Sequence, residues 1–143
     1  MFANEKLVAP EISLGGNFSY DKNGDFYSTT KVYGYLKKDT VKESYFFWLA
    51  LFNSKLFWYF IQQTGYVLRG GYYTFKTNYI LPFPIPKTID TEISFSIEKL
   101  TKKILEKKEI SYQNNTFMEE TEINELIYKL YDLTTYEIRE IEN

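Results

Sequence analysis

Cysteine and histidine are both absent from the 143 residues. Without cysteine there is no disulfide, thiol nucleophile or thiolate metal site. Without histidine as well, Ser-His-Asp triads, Cys-His pairs and ordinary zinc sites are excluded for this polypeptide. No run of about eighteen uninterrupted apolar residues occurs, and no basic-then-apolar signal pattern opens the chain, so it is expected neither to span a membrane nor to be secreted. A reducing cytoplasm is the expected location. Glycine and proline are sparse, at seven and four residues. The two glycine pairs, Gly15-Gly16 and Gly70-Gly71, form neither a GxGxxG nor a Walker loop, which leaves nucleotide-cofactor binding unsupported.

What is abundant is aromatic. Fourteen Tyr and twelve Phe bring the aromatic share to 20%, more than a core of this size needs, so several tyrosines are expected at the surface or in a groove. The net charge of −2 hides an asymmetry. Residues 1–87 hold ten Lys/Arg against six Asp/Glu, a balance of +4, while residues 88–143 hold seven against thirteen, a balance of −6. A basic half favours contact with phosphates through counterion release, and an acidic half is repelled from them.

Lys6 to Leu14 reads as a strand interrupted by Pro10, which suits an edge or a strand start. Asp21–Asp25 is a turn. It leads into Phe26–Leu36, where Tyr27, Thr29, Lys31, Tyr33 and Tyr35 share one face by period two; such a face is equally a solvated sheet surface with cross-strand tyrosine pairs. Thr40 to Thr64 has helical spacing of Phe46, Phe47, Ala50, Leu51, Leu56, Phe57, Phe60 and Ile61, broken at Asn53-Ser54. Ser54 is expected to cap a second helix, and Gly65 to end it in a left-handed conformation. Tyr66–Arg69 and Tyr72–Thr77 read as strand segments around Gly70-Gly71. Leu81-Pro82-Phe83-Pro84-Ile85-Pro86 is an extended exit, since prolines at alternate positions lack N–H donors. Helices follow at Thr91–Ser111, about Glu119–Tyr131, and Tyr136–Ile141, the last capped by Thr134 or Thr135.

Glu106-Lys107-Lys108 contains the Glu-x-Lys of a nuclease site, with Asp90 upstream, but on a helix these are ordinary solvated-face residues. The stronger constellation is Lys55, Arg69, Gly70, Gly71, Tyr72, Tyr73 and Lys76, supported by Lys31 and Tyr33. Arginine offers a planar fork matching guanine or phosphate, lysine a point charge and tyrosine a stacking face, while the glycines let the backbone approach a groove. The plain alternatives are a surface ion pair for Arg69, and one core ring and one exposed ring for Tyr72 and Tyr73.

Asn53-Ser54-Lys55-Leu56, Leu68-Arg69-Gly70-Gly71-Tyr72, Phe75-Lys76 and Leu81-Pro82-Phe83-Pro84-Ile85-Pro86, in this order, resemble the TaqI-like C-terminal specificity domain of N6-adenine DNA methyltransferases and type II/IIG restriction–modification enzymes. The likeness covers about Lys6 to Lys87 and extends more weakly to Glu125–Glu142. It implies a target recognition domain that clamps double-stranded DNA opposite a catalytic methyltransferase domain carrying S-adenosylmethionine, with Asn53 and Ser54 shaping a helix junction and Arg69 to Lys76 near DNA. No Asn-Pro-Pro-Tyr or Asp-Pro-Pro-Tyr is present, the motif that holds the target adenine in such methyltransferases. The resemblance therefore implies a reader without a catalyst, binding no cofactor or metal itself.

The expected architecture is α+β: a small mixed or antiparallel sheet with two docked helices in residues 1–87, then a helical segment in 88–143. The expected function is DNA target recognition within a restriction–modification enzyme. A protein-interaction or carbohydrate-binding module using exposed tyrosines is the alternative from another class, and an inert structural spacer is a third.

Overall fold

A computed structural model describes residues 5–10, 12–13, 17–24, 32–74 and 77–143. Strands β1 (Lys6–Pro10), β3 (Ser19–Asp21) and β4 (Val32–Tyr35) form an antiparallel sheet in the order β3-β1-β4. The short β2 (Ile12–Ser13) and β5 (Tyr73–Thr74) pair separately, also antiparallel. Helices α1 (Tyr45–Phe52), α2 (Lys55–Thr64), α3 (Thr77–Ile80), α4 (Thr91–Ile110), α5 (Phe117–Leu130) and α6 (Thr135–Glu142) complete an α+β fold. Among the described residues no helix is long and apolar enough to cross a membrane.

Contrary to the expectation from Pro10, β1 is the central strand of its sheet. Pro10 is tolerated because it is the last residue of the strand, opposite Val32, where a missing N–H interrupts no further ladder. Leu7 and Ala9 alternate onto the core face. On the opposite face Lys6 is fully buried with its ammonium 2.6 Å from Asp21, its register partner on β3. Much of the expected strand Phe26–Leu36 lies outside the described residues; Val32–Tyr35 is strand as expected.

The first helix starts at Tyr45, not near Thr40. The backbone N–H of its N-cap, Ser44, donates to Glu98 on α4 at 3.2 Å, a carboxylate placed where the helix dipole favours negative charge. The break at Asn53-Ser54 is as read. Ser54 Oγ accepts from the N–H of Phe57 at 3.2 Å and donates to the carbonyl of Leu51 at 2.6 Å, ending one helix and capping the next. Gly65 corrects the left-handed expectation: its φ is −83°. Glycine is needed there for room, because a Cβ would stand 2.5 Å from the carbonyl oxygen of Ile61.

Helix α1 lies on the sheet, and α4 runs alongside α1 in the same direction, Glu98 meeting Ser44 and Lys102 sitting over the ring of Phe46. Helix α5 packs on α4 and α2, and α6 on α2. One apolar cluster joins Leu7 and Phe18 from the sheet region, Phe47 and Phe57 from α1 and α2, and Ile97 and Ile127 from α4 and α5, so residues 88–143 share a core with residues 1–87. Each such fully buried side chain contributes about 1.5–3 kcal/mol. The proline segment is not a free linker. Phe83 is buried, edge-on to Phe57 at 4.9 Å and Phe60 at 5.1 Å, and the hydroxyl of Tyr131 donates to the carbonyl of Pro84.

Candidate nucleic-acid interface

Immediately after α2, the chain makes a tight hairpin. Val67 bridges to Tyr73, the N–H of Leu68 donates to the carbonyl of Tyr72 at 2.6 Å, and the N–H of Gly71 donates to the carbonyl of Leu68 at 3.2 Å. The last bond closes a four-residue turn, Leu68 to Gly71, with Arg69 and Gly70 at its corners. Gly70 has φ +85°, the positive value that a type II turn requires at its third position, and Gly71 follows at +82°. The ring of Tyr72 lies over Gly70, 3.3 Å from where a Cβ would be.

The base of this hairpin is fixed. Tyr73 stands edge-on to Trp58 of α2, with ring centroids 5.3 Å apart at 82°, and Thr74 is buried and pairs with Ile12. The tip is open: Tyr66, Val67, Arg69 and Tyr72 are exposed. Ion pairs among the described residues join Lys6 to Asp21, Lys55 to Glu142, and Lys103 and Lys107 to Glu119. Arg69 is in none of them. A guanidinium held at an exposed corner and unpaired by any described carboxylate keeps its donors available for an acceptor from outside.

Of the residues singled out in the sequence, Arg69, Gly70, Gly71, Tyr72 and Tyr73 are brought together here, Tyr73 as the inward ring and Tyr72 as the outward one. Lys55 is elsewhere. It opens α2 while the hairpin follows the other end, about 15 Å away along ten residues of helix. Its backbone N–H is capped by Asn124 of α5 and its ammonium lies 3.0 Å from Glu142. Burial opposes ionisation of Glu142, yet the hydrogen bonds from Lys55 and Tyr128 outweigh it and hold this carboxyl below its ordinary range. Lys31 and Lys76 lie outside the described residues, as does the side chain of Tyr33, whose backbone pairs with Ala9.

Sequence reasoning missed the exposed Tyr66 and Val67 on the incoming arm, and Gln62 and Gln63, exposed in the last turn of α2. The two glutamines carry the amide pair suited to adenine edges. Their position just before a glycine-marked hairpin was the available signal. The Glu106-Lys107-Lys108 stretch is helical, and Asp90 is the N-cap of the same helix, its carboxylate accepting from Ile93 at 3.0 Å. Sixteen helical residues place Asp90 about 24 Å from Glu106, too far to share a metal ion.

Residues 1–85 match the TaqI-like C-terminal specificity domain, a stretch that includes the sheet, α1, α2 and the whole hairpin. The chain belongs to this family. It is accordingly a specificity domain of restriction–modification enzymes, a DNA-binding component of a larger activity. No curated protein matches the chain. Within the specificity domain the family match stops at the proline segment, so α4, α5 and α6 are a helical layer beyond the matched stretch that completes its core.

Proposed function

We propose that this specificity domain reads a DNA sequence for the adenine-N6 methyltransferase of a restriction–modification enzyme, and does so through the hairpin from Tyr66 to Thr74. The observation that carries the reading is Arg69: a guanidinium at the corner of a glycine-shaped turn, exposed, outside every ion pair of the described residues, on a base locked to α2. Such a fork can take guanine O6 and N7 together or grip a phosphate. Tyr72 and Tyr66 offer stacking faces beside it, and the +4 balance of residues 1–87 supplies the long-range attraction. Lys31, Tyr33, Lys55 and Lys76 belong to this reading as phosphate or groove contacts, Lys55 after exchange of its surface partner Glu142.

In this reading residues 1–87 form the recognition region and 88–143 prop it from behind. The catalytic methyltransferase domain, with its S-adenosylmethionine, belongs to the parent enzyme, which works on double-stranded DNA in the cytoplasm. The isolated chain then neither methylates nor cuts DNA; methyl transfer from labelled cofactor by the purified chain would overturn this. Salt distinguishes DNA recognition from sugar or protein binding. Fluorescence anisotropy with a random double-stranded oligonucleotide should show affinity falling roughly tenfold or more between about 50 and 200 mM salt, the behaviour of several released counterions. Salt-insensitive or absent binding contradicts the proposal.

A further inference from the structure

Helix α2 carries two neighbouring glutamines at the end from which the recognition hairpin starts, and its packing sends them to different faces. Trp58 meets the hairpin, edge-on to Tyr73 with ring centroids 5.3 Å apart. Gln62 follows Trp58 by four residues, so it lies on the same stripe, about 6 Å further along the axis toward the hairpin. Gln63 follows Tyr59 by the same spacing. Both of these line a cavity of about 450 Å³ with Phe83, Tyr131 and Glu140, on the side of α2 that faces α6. Of the pair, Gln62 is the one on the side of the hairpin.

The side chain of Gln62 is exposed, and no hydrogen bond among the described residues engages it. Its amide donors and its carbonyl acceptor are therefore all open to a ligand. The last turn of α2 contains no basic residue, so the partial negative charge of the helix C-terminus stands uncompensated there and repels a phosphate. A base edge is uncharged and meets no such opposition. In the major groove adenine alone sets an acceptor, N7, beside a donor, N6, the complement of an amide that both donates and accepts. Guanine sets two acceptors there, which suits the fork of Arg69 and not an amide.

We infer that Gln62 is a second specificity-determining residue of this domain, taking N6 and N7 of an adenine within the site that Arg69 reads. The inference rests on the DNA-reading role of the hairpin and adds to it a class of base pair: one A·T pair is read from α2, apart from the pair read by the turn. The contact between Trp58 and Tyr73 ties the helix to the hairpin, so the two readers keep a fixed spacing.

Selection of duplexes from a random pool by the full chain, native and variant, tests this. The native chain should enrich a sequence containing a preferred A·T pair. Gln62→Ala should cut discrimination at that pair about tenfold and leave the other positions as they are, the one relaxed by Arg69→Ala included. Gln62→Glu, whose carboxylate only accepts, should move the preference at the same position from adenine to cytosine, whose N4 donates. Gln62→Ala should also melt at the native temperature and bind a scrambled duplex as the native chain does, which neither a structural residue nor a phosphate contact would do. If Arg69→Ala relaxes a position while both Gln62 variants select the native sequence, the role of Gln62 is overturned and the hairpin reading stands. A native chain that selects no sequence removes both. Equal losses on preferred and scrambled duplexes, or relaxation at a G·C pair, overturn the role of Gln62 alone.

Discussion

At Gly70 an added Cβ is opposed twice, by the positive φ of +85° and by two ring carbons of Tyr72 at 3.3 Å. Gly70→Ala should therefore cost about 1–2 kcal/mol, measured as a lowered urea midpoint, and should weaken DNA binding through a distorted tip. Arg69 next to it has no such structural duty, being exposed and outside the described ion pairs. Arg69→Ala should leave the melting temperature unchanged; a drop would show a structural partner. The two neighbours show what residue types reveal. A Gly-Gly pair after a cation pointed to a special turn, and that turn is present. Gly65 pointed to the same left-handed conformation, yet its backbone is extended, because a glycine needed for φ and a glycine needed for room are identical letters. The same limit applies to Lys55, whose type suits a phosphate but whose location, at the far end of α2 beside Glu142, depends on the packing of α5 and α6.

At the scale of elements, the α1–α2 junction was readable from Asn53-Ser54, but only half of its function. The Ser54 cap is local and follows from sequence. Asn53 acts over a distance: its side-chain amide accepts from the N–H of Phe18 at 2.8 Å and donates to the carbonyl of Phe18 at 2.9 Å, fastening the segment before β3 to the helix pair. Asn53→Ala should cost roughly 1–3 kcal/mol, two hydrogen bonds' worth, in urea unfolding; an unchanged midpoint would mean water replaces both. Helix α4 was legible almost to the residue through its periodic Ile and Leu; α6 was legible with its cap open between Thr134 and Thr135, and the cap is Thr134, in a capping box with Glu137. Lys107 is not the ordinary solvated-face residue that its place on the helix suggests. Lys107 donates to the buried Glu119, with Lys103 3.8 Å from the same carboxylate. The Lys107 hydrogen bond, with a further one from backbone, holds the Glu119 carboxyl below its ordinary range. In acid the unfolded chain therefore takes up this proton first, near the ordinary carboxylate value of about 4.3. The stabilisation is whole above that pH and disappears as pH falls through the lower folded value. Melting curves from neutral pH down to pH 3 should show this loss, and Glu119→Gln should be less stable at neutral pH and flatter in acid. Parallel curves for the two proteins would contradict the pairing.

Across the whole molecule, the charge division along the chain has a structural counterpart. The hairpin with Arg69 belongs to the basic half, whereas the acidic half folds into helices that share a core with the sheet, α1 and α2. Fold class was accessible from sequence because periodicity and punctuation are local properties. The common core was not, since nothing local states that Ile97 and Ile127 meet Phe47 and Phe57 in one cluster. Base reading by the hairpin is tested by pairing selection with mutation. Duplexes enriched from a random pool by the native chain supply a preferred sequence, and affinities of native and Arg69→Ala proteins are then compared on that sequence and on a scrambled one. Loss of Arg69 should cost about 1–3 kcal/mol on the preferred duplex and little on the scrambled one. Equal losses on both duplexes, or none on either, would contradict base reading by Arg69.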